Sequence, residues 1–236
     1  FPAIICYFCV GSTLIMQRDI ISNYTLAACP NVKSGLPPIS YSIGVWEPQK
    51  QIWMFALMLH IPARLLLIMM VPQQWHSLFW RFVQTFSVSL ELLSLILVTI
   101  FHVDSILGFK AHAAFFGIWW GASIWGMSIV IYLQRLNGLR DTDPVIKVTW
   151  WIKVAIMVIF FYVSVAASIA YPISQRYCNL LAFIIFCACE YLVVGLNAGF
   201  WAVALFEFEK EFDGFQVTSV RKNKQILSTG TETPTE

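Results

Sequence analysis

Phe82–Val103 reads FVQTFSVSLELLSLILVTIFHV. Apart from Gln84, Glu91 and His102, each side chain in it is apolar or carries a hydroxyl. About 20 mostly apolar residues make a helix long enough to cross the hydrocarbon core of a bilayer. A helix satisfies its own backbone hydrogen bonds there, which an isolated strand cannot do. A transmembrane β-barrel would instead show ten-residue alternation, and Leu92–Ile100 does not alternate. This stretch therefore reads as a membrane-crossing helix with one carboxylate, Glu91, near its middle.

Five similar segments lie around it: Ala3–Met16, Ile52–Val71, Ala113–Leu133, Val154–Ile173 and Leu180–Phe206. Only 12% of the 236 residues are charged and 58% are hydrophobic, where a soluble domain carries about 25% charged residues. A surface so poor in charge needs lipid over most of it. The expected fold class is an all-α membrane protein, a polytopic bundle of six transmembrane helices over residues 1–208. Residues 209–236 are expected to form a disordered cytosolic tail, polar and poor in core-forming side chains. Phe1 is not an initiator methionine, so more chain is expected before it. Ala3–Met16 is short for a full crossing, which fits a truncated first helix. A signal peptide is the alternative, but no basic leader precedes the run and no small-residue cleavage site follows it.

The long polar stretch Gln17–Gln51 holds Pro30, Gly35, Pro37, Pro38 and Pro48, which favour irregular backbone. Gln134–Lys153 reads as a second polar connection. With a cytosolic N-terminus, nine basic residues face the cytosol: Arg81, Arg135, Arg140, Lys147, Lys153, Lys210, Arg221, Lys222 and Lys224. Five face the other side: Arg18, Lys33, Lys50, Lys110 and Arg176. The excess of Lys and Arg puts both termini in the cytosol. Asn23-Tyr24-Thr25 is then a lumenal N-glycosylation sequon, with Asn23 the acceptor. Cys29 and Cys178 also fall on the lumenal side, where oxidising conditions permit a disulfide; two free thiols are the alternative. Cys6, Cys9, Cys187 and Cys189 lie in spans and read as small membrane residues.

Ionisable groups inside a bilayer are expensive and need a partner or a wet cavity. His60 and Arg64 are four residues apart, on one helical face. His60, Glu91 and Glu190 each lie about ten residues into their spans, roughly 15 Å deep at 1.5 Å per residue. Three helices thus bring polar groups to similar depth, and one interior site is expected. Two readings stand side by side. Arg64 can pair with Glu91 or Glu190, with His60 completing a network that only holds helices together. Or the cluster lines a pocket for a lipid head group, with Arg64 binding phosphate or the glycerol carbonyl region and His60 accepting a proton. His112, at the start of its span and nearer the surface, is the alternative base; a plain interfacial histidine is the other account of it. His76, His102 and Glu207 carry no stronger signal. Glu190 and Asn197 share a face of the last span, and Tyr191 adds a hydroxyl beside them. Gly195-x-x-x-Gly199 and Gly117-x-x-x-Gly121 permit close helix contact.

No metal-ligand spacing, phosphate loop, nucleophile elbow or dinucleotide fingerprint is present. No metal, cofactor or nucleic-acid partner is therefore expected.

A set of residues carries a resemblance. Leu36-Pro37-Pro38-Ile39-Ser40, Ile43-Gly44, Glu47-Pro48-Gln49, Trp53, Leu59-His60 and Pro62-Ala63-Arg64 come in that order. Glu91, His112-Ala113-Ala114-Phe115, Tyr177-Cys178 and Glu190-Tyr191-Leu192-Val193-Val194 follow, with Asn197 and Phe200 after them. Together they resemble the Frag/DRAM/Sfk family, including the N-terminal domain of the cell wall biogenesis protein 43 type, from about Cys29 to Phe208. The resemblance implies six spans in Golgi and endoplasmic reticulum membranes, with cytosolic ends. It implies a part in GPI-anchor lipid remodelling, where a lyso-GPI-anchored protein regains an acyl chain. The expected partners are membrane lipids and GPI-anchored proteins. Whether such a chain transfers the acyl group itself or assists a partner acyltransferase stays open. So do a scaffold role and the autophagy- or stress-linked role of another branch of the family, because a fold does not fix a function. Carried to this sequence, the family positions are His60, Arg64, Glu91, His112, Glu190 and Asn197. Gln134–Lys153 and the tail follow no family pattern.

Overall fold

A computed structural model describes residues 2–23, 25–26, 29–70, 77–101, 103, 106–141 and 144–203. The chain runs through α1 (Pro2–Met16), α2 (Arg18–Ser22), β1 (Thr25–Leu26), β2 (Cys29–Lys33), α3 (Ile39–Gly44), α4 (Gln49–Met70), α5 (Leu78–Ile100) and α6 (Ile106–Leu136). A single 3-10 turn, Leu139–Asp141, then leads to α7 (Pro144–Tyr177) and α8 (Leu180–Val203). The expected tail, His76, His102 and Glu207 lie outside the described residues.

Among the described residues four helices, α5 to α8, are long and apolar enough to cross a membrane. α1 is apolar but has 15 residues. α4 has 22 residues and carries Lys50, His60 and Arg64. Exposed Trp151, Ile159, Phe161, Tyr162 and Ile169 give α7 a broad apolar outer face, which water would not tolerate and acyl chains would.

Local sequence explains the helix ends. Pro144 opens α7, where a missing N–H costs nothing. Asn179 caps α8, its Oδ1 accepting the Ala182 N–H at 3.0 Å. After α6, Gly138 takes φ 70°, a left-handed conformation that glycine adopts without strain. In the short turn that follows, Arg140 holds Asp141 at 3.0 Å and keeps that carboxyl below its ordinary pKa.

Two expectations about the connections are corrected. Gln17–Gln51 is not irregular throughout. It holds α2, an antiparallel β1–β2 pair and α3, for which Pro38 at φ −62° serves as N-cap; a proline before the first turn suits a helix start. The connection within Gln134–Lys153 is shorter than that polar stretch: α6 continues to Leu136 and α7 begins at Pro144. Lys153 is fully buried inside α7, its Nζ donating to Oε1 of Gln134. A hydrogen-bonded partner on the facing helix lets a lysine lie where charge count alone would put a loop.

The main core joins four helices: Val88 of α5, Trp119 and Met127 of α6, Phe160 of α7, and Val193 and Phe200 of α8. A second cluster joins α1 to α3 and α4 through Cys6, Cys9, Ile39 and Trp53. The two glycine pairs behave differently. A β-carbon on Gly195 would stand 2.5 Å from the Tyr7 hydroxyl, so α1 and α8 meet there. Gly117 and Gly121 have nothing within 4 Å; both are exposed, so the expected close contact is not made among the described residues.

Candidate functional site

Arg64 of α4 and Glu91 of α5 form a buried ion pair, Nη2 to Oε1 at 2.7 Å. Asn197 of α8 donates to the same oxygen at 2.8 Å and to Ser123 Oγ of α6 at 3.1 Å. Four helices are thus tied at one point. The Arg64 guanidinium also lies 4.7 Å from the centre of the Trp201 ring, a favourable place for a cation. Pro62, between His60 and Arg64, has no N–H to donate to the Met58 carbonyl, so α4 lacks one backbone hydrogen bond beside the site.

The expected single cluster is in fact two. Glu190 does not reach Arg64. It accepts the Ile39 N–H at 3.0 Å and the Ser40 hydroxyl at 3.3 Å. Next to it the Tyr191 hydroxyl donates to the Pro37 carbonyl, and the Tyr7 hydroxyl donates to the Tyr191 carbonyl at 2.6 Å. Cys187 Sγ lies 3.7 Å from the Leu36 carbonyl. Cys29 and Cys178 are joined, with Cα atoms 5.5 Å apart, and Cys178 turns α7 into α8 at φ 50°. Residues 29–44 are therefore strapped across α8, with Glu190 and Tyr191 as straps and not as parts of the Arg64 network. Depth along a helix could not separate these roles; the direction each side chain takes around its helix decides them.

A cavity of about 200 Å³ lies between these two networks. Its wall carries His60, Arg64, His112 and Asn197 among apolar side chains including Leu95, Val98, Phe116 and Val194. α3 closes one side with Ile39, Ser40 and Ile43, and α1 contributes Ala3 and Cys6. The structure thus brings both candidate histidines to one space. His112 Nδ1 lies 3.0 Å from the Val98 carbonyl and 2.9 Å from that of Phe101. Two carbonyl acceptors make Nδ1 the protonated nitrogen of the neutral ring and Nε2 the basic one. Sequence reasoning did not single out Ser123, Trp53 or Trp201. Trp53 closes the wall by donating to Thr99 Oγ1 at 3.2 Å. Its only sequence signal was a place among the residues that carry the resemblance.

Asn23, the sequon acceptor, is exposed. Its Nδ2 donates to the Asp19 carbonyl and its Oδ1 accepts from Lys33, each at 3.0 Å.

A stretch of 59 residues is 42% identical to post-GPI attachment to proteins factor 2 of Drosophila pseudoobscura pseudoobscura. That stretch is 25% of this chain and 22% of the fly protein, so the chain covers under a quarter of that relative's length. No solved structure matches. The family model described as the Frag1/DRAM/Sfk1/Cwh43P N-terminal domain matches residues 1–211, and the chain belongs to that family.

Proposed function

We propose that this chain is a multi-pass membrane protein of the secretory pathway that acts in GPI-anchor lipid maturation, at reacylation of the lyso-anchor. The observation that carries the reading is the apolar cavity edged by His60, Arg64, His112 and Asn197. It offers one interior space to an acyl chain and to the polar group that the chain hangs from. Membership of the family and the partial likeness to a factor named for a step after GPI attachment favour this substrate over other lipids.

On this reading α1 and α4 join α5–α8 as the fifth and sixth crossings, and both termini lie in the cytosol of Golgi and endoplasmic reticulum membranes. The strapped segment 29–44 and Asn23 then face the lumen, where the Cys29–Cys178 bond is stable. His112 is the better-placed base. Nε2 would take the proton of the lyso-lipid hydroxyl as that oxygen accepts the acyl group, and the donor's leaving group would carry the proton away.

The second reading is an accessory chain that presents lipid to a partner acyltransferase. The Arg64–Glu91–Asn197 knot favours it, because the charge of Arg64 is already offset by Glu91. Purified protein with lyso-GPI and a labelled acyl donor separates the two. Transfer by the chain alone, abolished by His112→Ala in a folded variant, supports catalysis. Transfer that needs a second protein supports the accessory role. Unchanged anchor lipids and surface retention in cells lacking the chain would sink both.

A further inference from the structure

We propose that Ser40 is the nucleophile of an acyl-enzyme step, with Glu190 as its base; this rests on the reading of the cavity as an acyl-transfer site. Ser40 lines the cavity and is half-buried. Glu190 lies behind it, 3% exposed, and its Oε1 accepts the Ser40 hydroxyl at 3.3 Å. The other carboxylate oxygen, Oε2, is held by the Ile39 N–H at 3.0 Å, which fixes the direction of Oε1. A serine hydroxyl is a weak nucleophile until an adjacent, oriented base takes its proton. Nucleophile, base and the group that orients the base thus stand together at the cavity wall.

The charge on Glu190 needs a reason of its own. Strapping α3 to α8 asks only for acceptors, and a glutamine would supply one without charge. A carboxylate inside a bilayer is expensive. Among the described residues Glu190 has no basic partner, and both of its contacts are neutral donors. A group that must take up a proton and return it explains that cost, because an amide cannot do so.

In the first step Ser40 Oγ attacks the carbonyl carbon of an acyl ester or thioester donor. The Oγ–C bond forms and the bond from that carbon to the donor's leaving group breaks. The Ser40 proton passes through Glu190 to the leaving group. In the second step the lyso-lipid hydroxyl attacks the carbonyl of acyl-Ser40, in the cavity that His112 also lines. His112 Nε2 takes the proton of that hydroxyl, and the departing Ser40 Oγ recovers it. The net exchange is an acyl group to the lyso-lipid and a proton to the donor's leaving group.

The test uses the p-nitrophenyl ester of an alkyne-tagged fatty acid, mixed with the purified full chain in detergent micelles. A burst of about one p-nitrophenolate per chain is expected, with the tag mapped to the peptide that holds Ser40. Added lysophosphatidylinositol is expected to discharge the tag as a diacyl lipid. Ser40→Ala should leave no burst and no tag. Ser40→Cys should carry the tag as a thioester that neutral hydroxylamine cleaves, where the wild-type oxyester resists. Glu190→Gln keeps an acceptor for Ile39 and should slow the burst at least about a hundredfold. His112→Ala should keep the burst and the tag and lose the discharge. No tag, a tag on another residue, or an unchanged burst in folded Ser40→Ala or Glu190→Gln overturns the proposal. Should those variants not fold, the site of the wild-type tag decides. A tag on Ser40 with normal GPI anchors in cells lacking the chain would sink the anchor reading and leave this one standing. Altered anchors with no tag on Ser40 would do the reverse.

Discussion

Asn197 Nδ2 and Arg64 Nη2 share one acceptor, Glu91 Oε1, at 2.8 and 2.7 Å. The shared oxygen makes α8 part of the ion pair between α4 and α5. Asn197→Leu removes one donor from a buried carboxylate and leaves Ser123 Oγ without its partner. A loss of about 1–3 kcal/mol is expected, read as a lower melting temperature in detergent. Asn197→Asp should cost more, because it sets a second carboxylate against Glu91. Equal melting of wild type, Asn197→Leu and Asn197→Asp would refute the arrangement.

Gly195 leaves room for the Tyr7 hydroxyl at the α1–α8 contact. Gly195→Ala should destabilise by about 1–3 kcal/mol through overpacking. The clash is with the hydroxyl oxygen, while the ring carbon beneath it lies 3.5 Å away. Tyr7→Phe should therefore suppress most of the added penalty. A double-mutant cycle measures this directly; additive losses would place Tyr7 elsewhere.

Glu190 holds the start of α3 through Ile39 and Ser40, and α3 covers the cavity that Cys6 lines. Glu190→Ala should loosen that cover. Maleimide labelling of Cys6, followed by peptide mapping, is expected to quicken several-fold. Glu190→Gln keeps one acceptor oxygen and should fall between Ala and wild type. Labelling rates that do not follow this order would remove Glu190 from the strap.

The Cys29–Cys178 bond fixes β2 to the turn between α7 and α8. Replacing both by serine should cost about 2–5 kcal/mol. Non-reducing peptide mapping should find the two cysteines in one linked fragment that separates on reduction. Two unlinked, alkylatable thiols in freshly purified protein would contradict the bond.

The helices α5 to α8 were legible because a bilayer demands long apolar runs, and the chain supplies them. The partnership of Arg64 with a carboxylate was legible too, since an isolated membrane charge is untenable. Which carboxylate was not, because Glu91 and Glu190 lie at like depth and differ only in the direction they face. Lys153 misled in a related way. Its charge reads as the end of a connection, and only Gln134 on the facing helix makes it an interior residue. Gly117 and Gly195 begin the same spacing motif. That spacing puts two small residues on one face but says nothing about what stands opposite: Tyr7 for one and nothing within 4 Å for the other.

Arg64 and Glu91 belong to consecutive helices, 27 residues apart in the chain. An arginine alone at the centre of an inserting helix costs about 2.5–3.5 kcal/mol on translocon scales. Paired with Glu91 of the helix that follows it, this arginine is half of a neutral hairpin. Biogenesis of this bundle is thereby tied to synthesis order. α4 gains its partner charge once α5 has been made, and Asn197, on the last described helix, locks the pair only after α6 and α7 have been made as well.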